Sequence, residues 1–239
     1  MADKRRRRDE ARRARLEEER RARARKNRIA AIAAVTAIVA LAVALIVVLV
    51  GSGGSFKVQY VSTPSVDPSK LAGISTTPPP WPTNTQDLAA RLGAESLPPL
   101  GAMEGQVLHI HQHIDIYIRG QHIGVPAAIG IAQSPTVILY APIHTHTPDG
   151  IIHVESPTQR DFSLGEFFDV WGVLFTPTCI GAYCNSGNER LQVFANGKVV
   201  TGDPRQLKLV EHEEIVVTFG SPGQIPQPYP VSYRFPRGL

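Results

Sequence analysis

The chain has 239 residues, 43% hydrophobic and 19% charged, a composition typical of a globular protein with an added membrane segment. Its formal net charge of +4 is unevenly distributed, because residues 1–28 carry 14 Lys and Arg against 6 Asp and Glu, a local charge of +8. The rest of the chain is therefore acidic by four charges. It has no basic excess for a phosphate backbone, so we expect no nucleic-acid partner.

An uncharged run, residues 29–50, follows the basic tail. As a helix it would extend about 33 Å, enough to cross a hydrocarbon core about 30 Å thick. The apolar core of a cleaved signal peptide is shorter, at about 7–15 residues, so the run favours an uncleaved transmembrane helix. Cleavage in the Gly-Ser run that follows stays open as the alternative. Basic flanks remain in the cytoplasm, which predicts a single-pass plasma-membrane protein whose C-terminal domain is extracytoplasmic.

The flanking segments complete the predicted domain organisation. The cytoplasmic tail, residues 1–28, either only fixes this topology or also lies on anionic lipid through residues 4–28. Residues 51–82 are rich in Gly, Ser, Thr and Pro and predict an extended stalk. A globular domain is expected over residues 83–220. The prolines of residues 221–239 exclude an interior strand there and indicate a tail.

A short helix is expected first in the globular domain, over residues 88–92. Asp87 and the polar residues before it can cap its start, and Gly93 is expected to end it. Its leucines, together with Leu97, should dock it on the main domain.

The segment Leu108–Ile118 alternates between aliphatic and polar side chains, which predicts a strand with one apolar face. Arg119 and Gly120 can form a two-residue turn into a returning strand. That register places Ile116 opposite Ile123 and Ile114 opposite Val125, so that apolar faces meet. The polar face carries five residues: His109, His111, His113, Asp115 and Tyr117.

A second histidine hairpin is expected about thirty residues later. A strand over residues 136–146 would reach the turn Thr147-Pro-Asp-Gly150, after which the chain returns. Residues 126–133, before this strand, are expected to be irregular. The hairpin register places His144 opposite His153 and His146 opposite Ile151, with all three histidines on one face.

One main helix follows. Ser163 and Glu166 form a capping-box pattern, and Gly172 is placed to end the helix. The apolar residues between them recur at helical spacing, which indicates a core stripe more than a ligand-binding aromatic box. Beyond the helix, Cys179 and Cys184 predict a disulfide worth about 2 kcal/mol in the chain-entropy model. Two thiolate metal ligands remain the alternative.

The order of hairpin, histidine hairpin, helix and closing strands resembles the β-grasp (ubiquitin-like) arrangement over residues 108–220. The phrases Asn196-Gly-Lys198 and Glu213-Glu-Ile-Val-Val217 look like its last two strands. This resemblance implies an α+β fold: a mixed sheet, one main helix and the histidine hairpin as an insertion. The histidine phrases and Phe162-Ser-Leu-Gly-Glu-Phe-Phe also resemble an uncharacterised family of prokaryotic membrane-anchored, histidine-rich extracytoplasmic domains. That resemblance implies a location and no particular activity.

Histidines at alternate strand positions can bind a metal ion, because they place two imidazoles on one side of the strand and a neighbouring strand can add a third. Neutral imidazole suits Zn²⁺ and Cu²⁺, and the absence of Met and Cys from the motifs disfavours Cu⁺. The candidate ligands are His109, His111, His113, His144, His146 and His153. Their ring N–H groups can be held by carboxylates, for which the candidates are Asp115, Asp149 and Glu155.

The sequence therefore favours a membrane-anchored, extracytoplasmic domain that binds Zn²⁺ or Cu²⁺. Two alternatives stay open. One is a metal-dependent enzyme at the outer membrane face, with Glu155 as the base for an activated water. The other is a metal-free β-grasp interaction domain with surface histidines. A metal site requires nitrogens of the two histidine sets to converge within about 4–5 Å, twice the Zn–N distance.

Overall fold

A mixed β-sheet and two α-helices contribute most of the core of the described part of the chain. The computed structural model describes residues 56–62, 66–100, 107–133 and 138–239. The predicted basic tail and transmembrane helix, residues 1–50, lie outside this part of the chain. Among the helices of the described residues, none has the length and apolar character needed to cross a membrane.

Eleven strands and two α-helices lie in the described ranges. The helices are α1, Leu88–Ala94, and α2, Leu164–Trp171. The strands are β1 Leu108–Ile118, β2 Gln121–Ile123, β3 Ile131–Gln133, β4 Ile138–Tyr140, β5 Ile143–His144, β6 Ile151–Ser156, β7 Cys179–Ile180, β8 Tyr183–Cys184, β9 Arg190–Ala195, β10 Lys198–Val199 and β11 Glu213–Gly220.

The main sheet has the strand order β10-β9-β11-β1-β6-β5, and β2 also pairs with β1. Strands β1 and β11 are parallel, while the other neighbours in this sheet are antiparallel. Pairs β3/β4 and β7/β8 form separate two-stranded sheets. The predicted α+β class with a mixed sheet is confirmed.

Strand β1 is long enough to pair with two different strands along one edge. Its first half pairs with β6 and its last residues pair with β2, while β11 lies along the other edge. The predicted pairing of Ile116 with Ile123 is confirmed. The pair Ile114–Val125 does not form, because β2 ends at Ile123 and the Ile114 amide donates to the Gly150 carbonyl at 3.0 Å.

Helix α2 has the predicted ends. The Ser163 hydroxyl accepts from the Glu166 amide, and the Glu166 carboxylate accepts from the Ser163 amide at 2.7 Å. Gly172 ends the helix with φ 84°, a conformation that glycine adopts without steric cost. The aromatic stripe is part of the core, as predicted: Phe167, Phe168 and Trp171 are buried.

Helix α1 is longer than predicted, because Gly93 keeps helical geometry and the helix ends at Ala94. Leu88, Leu92 and Leu97 are all buried, as expected for a helix docked on the domain.

The region before the second histidine hairpin differs from the prediction. Residues 131–133, expected to be irregular, form β3 and pair with β4. The expected strand over residues 136–146 is divided into β4 and β5, with residues 136–137 outside the described ranges. Ala141 donates to the Gly130 carbonyl at 2.7 Å, and Pro142 has no N–H for a strand ladder, so the pairing is interrupted there.

The described part of the segment predicted as a stalk packs against the sheet domain. Val61, Leu71 and Trp81 are buried, and the Trp81 ring meets the edge of Trp171 with centroids 5.9 Å apart. Residues 57–239 accordingly form one compact unit. Farther along this unit, the predicted disulfide between Cys179 and Cys184 is present and joins β7 to β8.

Candidate metal centre

Three neighbouring strands bring the two histidine sets to one face of the sheet. Strand β6 lies between β1 and β5. Its pairing with β1 places His111 opposite His153 and His109 opposite Glu155. Its pairing with β5 places His144 opposite the same His153, as the hairpin register predicts. Side chains of directly paired residues point to the same side of a sheet, so these residues share one face.

The side chains converge into what we call the histidine cluster: His109, His111, His144, His146, His153 and Glu155. It consists of two overlapping groups, and within each group one potential ligand atom per residue lies within 4.8 Å of the others. The first group is His144, His146, His153 and Glu155. The second group is His109, His111 and His153. Nitrogens of the two predicted sets therefore meet within the required 4–5 Å.

The distances inside the cluster are those of metal ligands. The Nε2 atoms of His144 and His146 are 3.1 Å apart and hydrogen-bonded, with His146 donating to His144. The Oε1 atom of Glu155 lies 3.7 Å from Nε2 of His144 and 3.4 Å from Nε2 of His109. Neighbouring ligands of a tetrahedral Zn²⁺ with bonds of 2.0–2.1 Å are about 3.3 Å apart. The cluster thus has the spacing that an ion needs.

The hydrogen bond of His144 orients its ring for coordination. Its Nδ1 lies 2.9 Å from the carbonyl of Ala141. A carbonyl only accepts, so Nδ1 carries the proton and donates, and the lone pair of Nε2 faces the cluster. Metal-binding histidines commonly donate their other ring N–H in this way, which fixes the tautomer.

Burial keeps the inner histidines neutral. It lowers the pKa of His144 to about 4 and that of His153, also surrounded by other imidazoles, to about 3. Burial also lowers the pKa of His111. Metal coordination needs the neutral imidazole. Within the described part of the chain, Nε2 of His111 and Nδ1 of His153 are buried and have no hydrogen-bond partner.

His113 lies apart from the histidine cluster although it shares the same strand face. Its Nδ1 is 2.8 Å from the Glu214 carboxylate, its Nε2 is 3.0 Å from the Asp149 carbonyl, and Tyr233 stacks on its ring at 3.7 Å. Burial is the largest single effect on His113 and opposes its charged form, but the hydrogen bond and charge of Glu214, the charge of Asp115 and the Asp149 carbonyl together outweigh it and raise the pKa. Both ring nitrogens face acceptors, an environment that suits a protonated imidazole.

The three predicted carboxylates, Asp115, Asp149 and Glu155, have different surroundings. Only Glu155 belongs to the histidine cluster. Asp115 accepts from His122 at 2.9 Å and forms a separate group with His113 and Glu214. The Asp149 carboxylate accepts from the Ile151 amide at 3.2 Å and so shapes the hairpin turn.

Two residues that contact His113 were not predicted from the sequence. Glu214 reaches His113 because β11 lies parallel to β1, and Tyr233 reaches it from the proline-rich tail. The only signal in the sequence was the polar pair Glu213-Glu214 at the start of an apolar strand. His122 and His212 lie outside the histidine cluster.

The fold and the cluster together define an α+β protein with a candidate metal centre on one face of its mixed sheet. Comparisons with protein-family models, with curated proteins and with solved structures find no match to this chain. The geometry of the histidine cluster is therefore the basis on which we infer a function.

Proposed function

We propose that the protein is a membrane-anchored, extracytoplasmic metal-binding protein that holds Zn²⁺ or Cu²⁺ through His144, His146, His153 and Glu155. One observation carries the proposal. Nε2 of His144, whose other nitrogen is held by Ala141, lies 3.1 Å from Nε2 of His146. The two nitrogens share a hydrogen bond, and a divalent ion beside the buried carboxylate can take the place of its proton once His146 adopts its other tautomer.

The cost of burying the cluster without an ion favours this proposal over a metal-free histidine surface. A buried polar atom that lacks a hydrogen bond costs about 1–3 kcal/mol. Nδ1 of His153, one of the four proposed ligands, is such an atom in the described residues. A bound ion removes this penalty for the nitrogens that coordinate it.

The ligand types restrict the ion. Imidazole nitrogens and one carboxylate suit Zn²⁺ and Cu²⁺, whereas Cu⁺ prefers thiolate or thioether. The two cysteines form a disulfide and so are unavailable as thiolates. Oε1 of Glu155 lies 3.7 Å from Nε2 of His144, close enough for both atoms to bind one ion.

The location and the fold family are part of the same proposal. The uncharged residues 29–50 behind a basic tail support a membrane anchor with its C-terminal side outside. A disulfide suits an oxidising compartment. The parallel pairing of β1 with β11, next to the β1/β2 hairpin, supports a β-grasp assignment.

Calorimetric titration tests the metal site. The full chain in detergent micelles is stripped with chelator and titrated with Zn²⁺. We expect saturable binding that His146→Ala weakens at least about tenfold, because it removes a ligand. His146 is exposed, so its replacement leaves the core intact. The control, His122→Ala, should bind like the wild type. Absence of binding, or equal binding by His146→Ala and the wild type, would refute the metal site.

Labelling of intact cells tests the location. A membrane-impermeant amine reagent should modify lysines within residues 57–239 and leave Lys4 and Lys26 unmodified until the cells are opened. Labelling of the two N-terminal lysines in intact cells would contradict the proposed topology and place the N-terminus outside.

A further inference from the structure

The histidine cluster has more donors than one tetrahedral ion uses. Five histidines and Glu155 make six potential ligands, and a structural Zn²⁺ site takes four. After the first group is assigned to one ion, His109 and His111 remain. Their ring centroids lie 4.7 Å apart, and the ring of His111 is 4.6 Å from that of His153.

A single octahedral ion does not account for all six. Opposite donors around such an ion, with bonds of about 2.1 Å, lie about 4.2 Å apart, so all six would fall within one group. The cluster instead divides into two groups that share only His153. The ring centroids of His109 on β1 and the shared His153 on β6 are 6.3 Å apart. The cluster therefore contains two donor sets that meet at His153.

The buried carboxylate lies between the two donor sets. Oε1 of Glu155 is 3.4 Å from Nε2 of His109, in the second group, and 3.7 Å from Nε2 of His144, in the first. A carboxylate in this position can bind one ion with each oxygen or share one oxygen between two ions. Its negative charge also offsets the repulsion between two cations.

His111 provides independent support for a ligand in the second set. The residue is 4% exposed, and its Nε2 is buried without a hydrogen-bond partner in the described ranges. A neutral imidazole nitrogen left unpaired in this way is stabilised by a bound cation. The same holds for Nδ1 of the shared His153.

We propose that the cluster is a two-metal site, in which His109 and His111 hold a second divalent ion and Glu155 bridges it to the first. Bridged ions in protein sites are about 3.5–4 Å apart. This inference rests on the proposed function, because the second ion needs the shared carboxylate that the first ion orders. Repulsion between the ions makes the second bind more weakly, so loading occurs in two steps.

Each donor set has one exposed histidine, which provides a matched pair of variants. His109 belongs to the second set and His146 to the first, and both are exposed at the rim of the cluster. Replacement of either by Ala removes one ligand without opening a core cavity. His122→Ala removes an exposed histidine outside the cluster and is the control.

Titration with Cu²⁺, followed by electron paramagnetic resonance, tests the proposal on the full chain in detergent. The wild type should bind two equivalents. The first should give a spectrum of isolated Cu²⁺, and the second should broaden or abolish it, because two unpaired spins about 4 Å apart couple. His109→Ala should bind one equivalent with an isolated spectrum. His146→Ala should weaken the first step at least tenfold, and His122→Ala should match the wild type.

The outcomes separate this inference from the proposed function. One equivalent in the wild type, unaffected by His109→Ala, refutes the second ion and leaves the first in place. Two equivalents without spectral broadening refute the bridged pair. No saturable binding of either Cu²⁺ or Zn²⁺ refutes both proposals.

Discussion

Glu155 joins the two parts of the candidate metal centre. It lies on β6 directly opposite His109 and is buried beneath the imidazoles, 1% exposed. Its Oε1 is less than 4 Å from Nε2 of His109 and of His144. A carboxylate in this position contributes a negative charge as well as a ligand atom. Replacement by glutamine removes the charge and keeps the shape of the side chain.

Glu155→Gln should lower the affinity for Zn²⁺ at least about tenfold, because the amide keeps the size of the side chain but loses the negative charge that faces the ion. Glu211→Gln, at an exposed carboxylate outside the cluster, is the matched control and should bind as the wild type does. Calorimetry measures both. Equal affinities for the two variants would contradict the role of Glu155.

Glu213 is a second buried carboxyl, on β11 opposite Gln112. Burial raises its pKa to about 8, and within the described residues its Oε2 has no hydrogen-bond partner. The folded protein therefore keeps a proton on this group that the unfolded chain releases near pH 4.5. Stability from the neutral carboxyl is complete below pH 4.5 and is lost as the pH rises towards 8.

In Glu213→Gln the side chain does not titrate, so the variant should not lose stability between pH 4.5 and pH 8 through this residue. At pH 8 we expect the variant to be more stable than the wild type by on the order of 3 kcal/mol, and near pH 4.5 the advantage should disappear. Urea unfolding at a series of pH values measures the difference. A stability difference that does not change with pH would show that Glu213 is ionised in the folded protein.

At the scale of elements, the sequence predicted the strands, turns and helix ends that depend on neighbouring residues. The alternation in β1, the Arg119-Gly120 turn and the capping box of α2 each depend on residues close in sequence, and all three are present. The parallel pairing of β1 with β11 depends on residues about a hundred positions apart. No short-range pattern encodes that contact, so Glu214 beside His113 could not be predicted.

Ser163→Ala tests the helix start on its own. The variant loses the cap on the Glu166 amide, and we expect the free energy of unfolding to fall by about 1 kcal/mol. Its affinity for Zn²⁺ should stay that of the wild type, because α2 contributes no residue to the histidine cluster. A large fall in affinity would mean that the helix helps to position the metal ligands.

At the scale of the whole molecule, the sequence predicted the members of the site better than their grouping. Five of the six candidate histidines converge: strand parity fixes the face of His109, His111, His144 and His153, and His146 lies in the turn that follows β5. The pairing of β6 with β1 decides which of these histidines become neighbours. The alternation along a single strand does not specify that pairing. His113 has the right face but lies beyond the cluster, beside Glu214 and Tyr233.

Metal binding should stabilise the whole domain, because the unfolded chain does not hold the three strands together. Zn²⁺ at a hundred times its dissociation constant should add about 3 kcal/mol to the free energy of unfolding. At the same Zn²⁺ concentration the gain should fall to about 1.4 kcal/mol or less in His146→Ala, whose affinity is at least about tenfold lower, and should be kept in His122→Ala. Thermal unfolding with and without Zn²⁺ measures it, and an unfolding temperature that Zn²⁺ leaves unchanged would contradict the proposed site.

The most direct test of the metal centre is anomalous diffraction at the zinc edge from crystals of the Zn²⁺-loaded protein. We predict an anomalous peak among His144, His146, His153 and Glu155, about 2.0–2.1 Å from the coordinating nitrogens. A peak only beside His113 and Glu214, or no peak within the histidine cluster, would contradict it.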